Sequence, residues 1–306
     1  MNAQHCTVAE EGFYGTYYPL EQAGSKAVIG MIGDDPDDYM ARCAVKWLHG
    51  LGIPVVTMSP EKKDYGHHSY PVERVESAVA FLKSHGFEKI GVVGASTTGM
   101  LALVAASLIP DITLTIALTP PDFVMEGFYR DGLDGMTERP GDFESSLTWR
   151  GEQLPFLPYA YRHPEYWQNI QAESKKRKDM VVSRPLFDES ERRHPVQEDE
   201  RIKVENIHGH IVFVGAEDDV LWDTCTYIRR MEARLAERPH TCSWESHLFE
   251  HGTHFVFPEG MVKTMLPIGF DFLLTRIFRE AKGYTKECRQ ARIDIDRSIR
   301  RAIEQW

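Results

Sequence analysis

Short apolar runs alternate with amphipathic stretches along most of the chain. Runs at 26–32, 53–58, 89–93, Ile112–Leu118, 210–214 and 241–249 have strand length, and most are rich in Val, Ile and Leu, as strands buried on both faces are. Between them, Tyr39–His49, 71–85, 101–108 and 224–236 carry apolar residues at helical spacing, and 260–281 reads as one long amphipathic helix. Punctuation agrees with the periods. Asp37 or Asp38 stands where the first helix needs an N-cap, and Gly50 and Gly86 follow the ends of the first two. This alternation predicts an α/β fold, a mostly parallel sheet with helices on both faces. The tail 288–306 places Ile295, Ile299 and Ile303 at helical spacing, which predicts a terminal helix packing on the core or on a second subunit of a homo-oligomer.

The most informative stretch is Lys89-Ile90-Gly91-Val92-Val93-Gly94-Ala95-Ser96-Thr97-Thr98-Gly99-Met100. An apolar strand runs through a small-residue turn bearing one serine straight into an Ala/Leu-rich helix. That is the layout of a nucleophile elbow, in which small neighbours let the serine stand exposed above the sheet and the helix N-terminus offers N–H groups to a developing oxyanion. The usual G-x-S-x-G pattern is altered here, with Thr98 at the last glycine position and Gly99 one residue later. An ordinary strand-to-helix turn that happens to contain serine is the bland alternative.

A serine hydroxyl needs a base, and the base needs an orienting acid. In the α/β-hydrolase order these follow as Asp/Glu after a late strand and His after the last one. The run His210-Ile211-Val212-Phe213-Val214 leads into Gly215-Ala216-Glu217-Asp218-Asp219-Val220-Leu221-Trp222. Counting three residues from Gly215 selects Asp218 as the acid, with Asp219 as rival if Trp222 sets the register. After the last strand come Glu250-His251-Gly252-Thr253-His254, and His254 is the expected base, with His251 as competitor. The expected oxyanion donors are the backbone N–H groups of Thr97 and Asp34, the latter in the acidic loop after the 26–32 strand.

Residues 122–205 break the rhythm. They are proline-rich, contain Trp149, Trp167 and the aromatic run Phe156-Leu157-Pro158-Tyr159-Ala160-Tyr161, and read as a cap inserted within a single α/β-hydrolase domain spanning 1–306. With these residues in view, the chain resembles the catalytic domain of the acyl-CoA thioesterase and bile-acid-CoA:amino-acid N-acyltransferase family, among the dienelactone-hydrolase-like α/β-hydrolases. The resemblance rests on Gly94-Ala95-Ser96, on Asp218-Asp219-Val220-Leu221-Trp222, on Gly252-Thr253-His254 followed by Pro258, and on Trp149-Arg150-Gly151-Glu152-Gln153-Leu154-Pro155. It implies a triad of Ser96, Asp218 and His254 acting on an ester or thioester, with acyl-CoA as one substrate. The family's transferases resemble a cysteine-nucleophile version, so Ser96 favours water as acyl acceptor. Acyl transfer to an amine or alcohol, and a non-catalytic ligand-binding role, are the alternatives.

Composition narrows the classes further. A net charge of -11 offers no basic excess for nucleic acid or for an anionic membrane surface. The basic run Lys175-Lys176-Arg177-Lys178 could meet a CoA phosphate but reads first as a solvated helix face. Five scattered cysteines without paired spacing fit a reduced, cytoplasmic protein with no disulfide framework and no metal site. The first residues carry no basic–apolar leader, and no run is long enough to span a membrane. No cofactor is implied, and the expected partner is a small acyl substrate.

Overall fold

The computed structural model describes residues 3–60, 67–130 and 139–306. Two short strands come first, β1 (Gln4–Cys6) at the sheet edge and β2 (Gly15–Tyr18) beside it. The alternating core follows as β3 (Lys26–Met31), α1 (Tyr39–His49), β4 (Val55–Met58), the short β5 (Tyr70–Pro71), α2 (Glu73–Ser84), β6 (Lys89–Ala95), α3 (Thr97–Leu108) and β7 (Ile112–Leu118). An insertion then carries β8 (Leu147–Trp149), β9 (Glu152–Gln153), α4 (Glu165–Arg177) and α5 (Arg184–Arg193). The core resumes with β10 (His210–Ala216), α6 (Thr224–Glu237) and β11 (Ser243–Phe249), and closes with α7 (Glu259–Met265), α8 (Phe270–Ile277) and α9 (Thr285–Gln305).

The main sheet has the order β1-β2-β4-β3-β6-β7-β10-β11. From β4 to β11 every pairing is parallel, and β1 and β2 add antiparallel strands at one edge. Successive residues of each strand serve opposite faces. On β3, Ile29 and Met31 join the cluster that holds α2, α3 and α6, while Val28 belongs to the cluster of α1, α7 and α9. β10 repeats the division, with Ile211 and Phe213 on the first face and Val212 and Val214 on the second. Buried apolar side chains cover almost every side of α3, as its central position demands.

One expected helix is broken. The 260–281 stretch is two short helices, because Pro267 supplies no N–H for a continuing ladder and Gly269, at φ 94°, turns the chain before α8. The terminal helix is α9. Its Cys288, Ala291, Ile295, Ile299 and Ile303 are buried in the second core cluster, so the core is what it packs on.

The insertion rests on the opposite face, where Phe123, Leu157, Tyr159, Tyr166 and Phe187 join the first cluster. Its two ends are pinned at one buried carboxylate. Asp122 accepts from Arg201 at 2.8 Å and from Arg230 of α6 at 2.6 Å. Burial pushes this carboxyl up to about 6 against the opposing pull of the two guanidinium groups. All five cysteines are free and buried. No helix among the described residues is long and apolar enough to cross a membrane.

Candidate active site

The site forms at the carboxyl ends of the central strands, where open α/β sheets place their ligands. Ser96 lies between β6 and α3 at φ 62° and ψ -127°, a conformation that L residues seldom adopt. A side chain at Gly94 would bring a Cβ to 2.1 Å from the Thr98 carbonyl oxygen, so the turn closes only with glycine there. Thr98, in place of the usual second glycine, supports the turn. Its hydroxyl accepts the Ala95 N–H at 3.0 Å and donates either to the Ala95 carbonyl at 2.8 Å or to the Met31 carbonyl at the end of β3. The displaced Gly99 meets β7, where a Cβ would lie 3.0 Å from the Leu118 carbonyl oxygen. Thr98→Val keeps the shape and removes the hydroxyl that accepts the half-buried Ala95 N–H. It is expected to cost about 1–3 kcal/mol of stability, measured by urea unfolding; an unchanged midpoint would remove this role from the hydroxyl.

His254 is buried in the loop after β11, and its Nδ1 lies 2.8 Å from Asp219 Oδ2. Asp219, 1% exposed, also accepts the Leu221 N–H at 2.8 Å and the Thr224 hydroxyl at 2.5 Å. The expected pairing of His254 with Asp218 is therefore corrected to Asp219. β10 runs on through Gly215 to Ala216, which pairs with Phe249, so Gly215 is inside the strand and not at its end. The turn begins later than the count from Gly215 assumed, and Trp222 was the better guide.

Asp218 points to the backbone of the same loop. Its Oδ1 accepts the Gly252 N–H at 3.0 Å and the Thr253 N–H at 2.7 Å. Burial raises its carboxyl above the ordinary aspartate value, and these two N–H groups pull it back. His251, the rival base, lies 3.7 Å from Asp218 Oδ2 and stacks on Tyr284 with ring centroids 3.4 Å apart. The His254 ring meets Trp222 edge to face at 4.8 Å, and the Trp222 indole N–H donates to the Thr119 carbonyl at 3.0 Å. Trp222 and Thr224 thus shape the surroundings of the imidazole. Thr224 was missed, although a threonine opening the helix after an acidic turn is a visible signal.

The expected oxyanion pair is half altered. Thr97 is the first residue of α3, so its N–H has no carbonyl within the helix to bond. The Asp34 N–H, however, donates to Asp38 Oδ2 at 2.8 Å. Asp38 also receives the Asp35 and Ala41 N–H groups as it caps α1, so the Asp34 N–H is already engaged within its own loop.

Ser96 opens on two cavities. The larger, about 440 Å³, is bordered by His254 and walled by Met40, Phe257, Met180 and Ile277. The smaller, about 200 Å³, lies beneath the insertion among Met125, Phe128, Tyr159, Trp167, Phe187 and Trp222. His67, Arg130 and Asp34 border both, with an Arg130 nitrogen 4.0 Å from an Asp34 oxygen. Trp149 borders neither and carries the Arg150 guanidinium 4.2 Å above its ring. Lys176 and Arg177 pair with Glu173, and Arg192 and Arg193 with Glu189, on their own helices, the arrangement of solvated helix faces.

A parallel sheet of this connectivity, with a serine on a tight turn and a buried carboxylate–imidazole pair facing one cavity, defines an α/β-hydrolase. The chain belongs to the family described as BAAT / acyl-CoA thioester hydrolase C terminal, whose model matches residues 70–259, more than half its length. It is accordingly a hydrolase of the ester and thioester class. Its fold is similar to that of the esterase Pf2001 from Pyrococcus furiosus, at 14% identity over 87% of this chain and 86% of that one, with a TM-score of 0.43. A Klebsiella pneumoniae protein described as a dienelactone hydrolase is similar at 8% identity over 90% and 98%, with a TM-score of 0.47. Est1E from Butyrivibrio proteoclasticus is similar at 14% identity over 87% and 96%, with a TM-score of 0.42. No curated protein sequence matches the chain.

Proposed function

We propose that the chain hydrolyses a carboxylic ester or thioester through an acyl-enzyme on Ser96. The observation that carries this reading is the strained elbow serine sharing a cavity with a buried histidine whose other ring nitrogen is held by Asp219. His254 Nε2 takes the Ser96 proton as the hydroxyl attacks the carbonyl carbon, and the imidazolium is stabilised by Asp219. The Thr97 N–H, at the positive end of α3, stabilises the tetrahedral oxyanion. Collapse expels the alcohol or thiol, which takes the proton from His254. Water, deprotonated by the same ring, then attacks the acyl-enzyme and releases the acid.

Acyl-CoA is the thioester that the family description points to, and Ser96 rather than cysteine favours water over an amine as acceptor. The insertion acts as a cap over the serine, because its aromatic side chains wall the smaller cavity. A fluorophosphonate probe tests the reading directly. One equivalent is expected to attach to the protein, and peptide mapping should place it on Ser96. Labelling elsewhere, or none under conditions where an ester is turned over, would overturn it.

A further inference from the structure

The two cavities at Ser96 are not equivalent. In acyl-enzyme chemistry the histidine hands its proton to the departing atom, so the leaving group must lie on the histidine's side of the serine. His254 borders the larger cavity and not the smaller one. The alcohol or thiol portion therefore belongs in the larger cavity, and the acyl portion belongs under the insertion. Ser96, Thr97, His67, Arg130 and Asp34 lie at the border with the larger cavity, and the Tyr159 and Ser183 hydroxyls of the smaller chamber are already engaged. The Tyr159 hydroxyl donates to the Glu126 carbonyl at 2.9 Å, and the Ser183 hydroxyl to the Leu221 carbonyl at 2.8 Å. What remains to meet a ligand is mainly aromatic and aliphatic surface, suited to an unsubstituted hydrocarbon or aryl acyl group.

The chamber is also bounded. On the outer side of α4 and α5 lies a groove of about 280 Å³, lined by Tyr161, Asn169, Glu173, Pro185 and Leu186. Among the described residues Ile170 alone borders both the chamber and this groove. It is 3% exposed, and its neighbours on α5 divide in the same way, Phe187 facing the chamber and Leu186 the groove. Ile170 is thus the residue through which the two spaces adjoin.

We infer that Ile170 is the wall that sets acyl-chain length, in a chamber that takes the acyl half of a medium-length apolar ester or thioester. A chamber of about 200 Å³ limits the acyl chain to medium length, and a chain that outgrows it is expected to meet Ile170. The inference rests on Ser96 as nucleophile and His254 as the proton donor to the leaving group.

The test uses two series of substrates with the full chain: p-nitrophenyl esters from butyrate to dodecanoate, and hexanoate esters of alcohols of increasing size. Wild type is expected to peak near hexanoate to octanoate. Ile170→Ala opens the wall to the groove and should raise the dodecanoate-to-hexanoate ratio of kcat/KM by about tenfold. Ile170→Phe should move the ratio the other way, and Ile170→Val, which preserves the packing best, should shift it slightly in the direction of alanine. A fold lesion would lower all substrates together and could not produce opposite shifts. Ratios that stay within twofold in the variants that fold, or shifts in the same direction for Ala and Phe, overturn the assignment of the wall. Shifts confined to the alcohol series overturn the assignment of the two cavities. Ser96→Ala, run beside them, separates the two levels. If it retains activity, the acyl-enzyme reading fails; if it is inactive while the ratios stay fixed, only the chamber assignment fails.

Discussion

Ser96→Ala is expected to lower kcat by at least about 10⁴-fold while the protein keeps its fold. Loss of a triad nucleophile typically leaves only the rate contributed by binding and oxyanion stabilisation. The hydroxyl is partly exposed at the cavity, so its removal sacrifices little packing. Steady-state kinetics with a p-nitrophenyl ester gives the rate, and circular dichroism with urea unfolding gives the fold. Activity above about a thousandth of wild type would require another nucleophile.

The second large effect separates two adjacent carboxylates. Asp219 bonds the ring nitrogen opposite the reacting one, so Asp219→Asn disturbs the tautomer and removes the charge that stabilises the imidazolium. A loss of about 10⁴-fold in kcat is expected, as in a protease triad given the same change. Asp218→Asn leaves a carbonyl oxygen able to accept the Gly252 and Thr253 N–H groups, and should cost tenfold or less. The reverse ranking would return the acid to Asp218. Mild and equal losses would remove the turn from the chemistry.

Much of this was readable beforehand because its signals are local. Tyr39–His49 and Ile112–Leu118 have the bounds their apolar periodicity predicts, and Asp38 caps the first helix. Ser96 and His254 followed from chain order and their places after strands, and the structure puts them on one cavity. What escaped was set by tertiary contacts. Whether Asp218 or Asp219 faces the imidazole depends on how far β10 stays paired with β11, which apolarity alone does not reveal. That the Asp34 N–H is bonded to Asp38 was not visible either, because an acidic loop can fold around its own helix cap. The break between α7 and α8 was marked by Pro267 and Gly269, but the amphipathic period on either side obscured it. β1 and β2 are short strands, and β2 joins the sheet only through β4, whose residues lie about forty positions later.

The backbone at Ser96 carries a further meaning. A non-glycine residue held at φ 62° and ψ -127° typically costs about 1–3 kcal/mol, in folds whose whole stability is on the order of 5–15 kcal/mol. Glycine would adopt the same angles without that penalty, so for folding alone serine is the poorer choice at this position. Neighbours hold the turn in place: the Ser96 N–H donates to the Leu118 carbonyl at 2.8 Å, and the Thr98 hydroxyl ties the turn to the end of β3. Thermodynamic selection for stability would drift toward glycine here. The serine therefore records a compromise between endurance and use, at a turn that its neighbours hold in place.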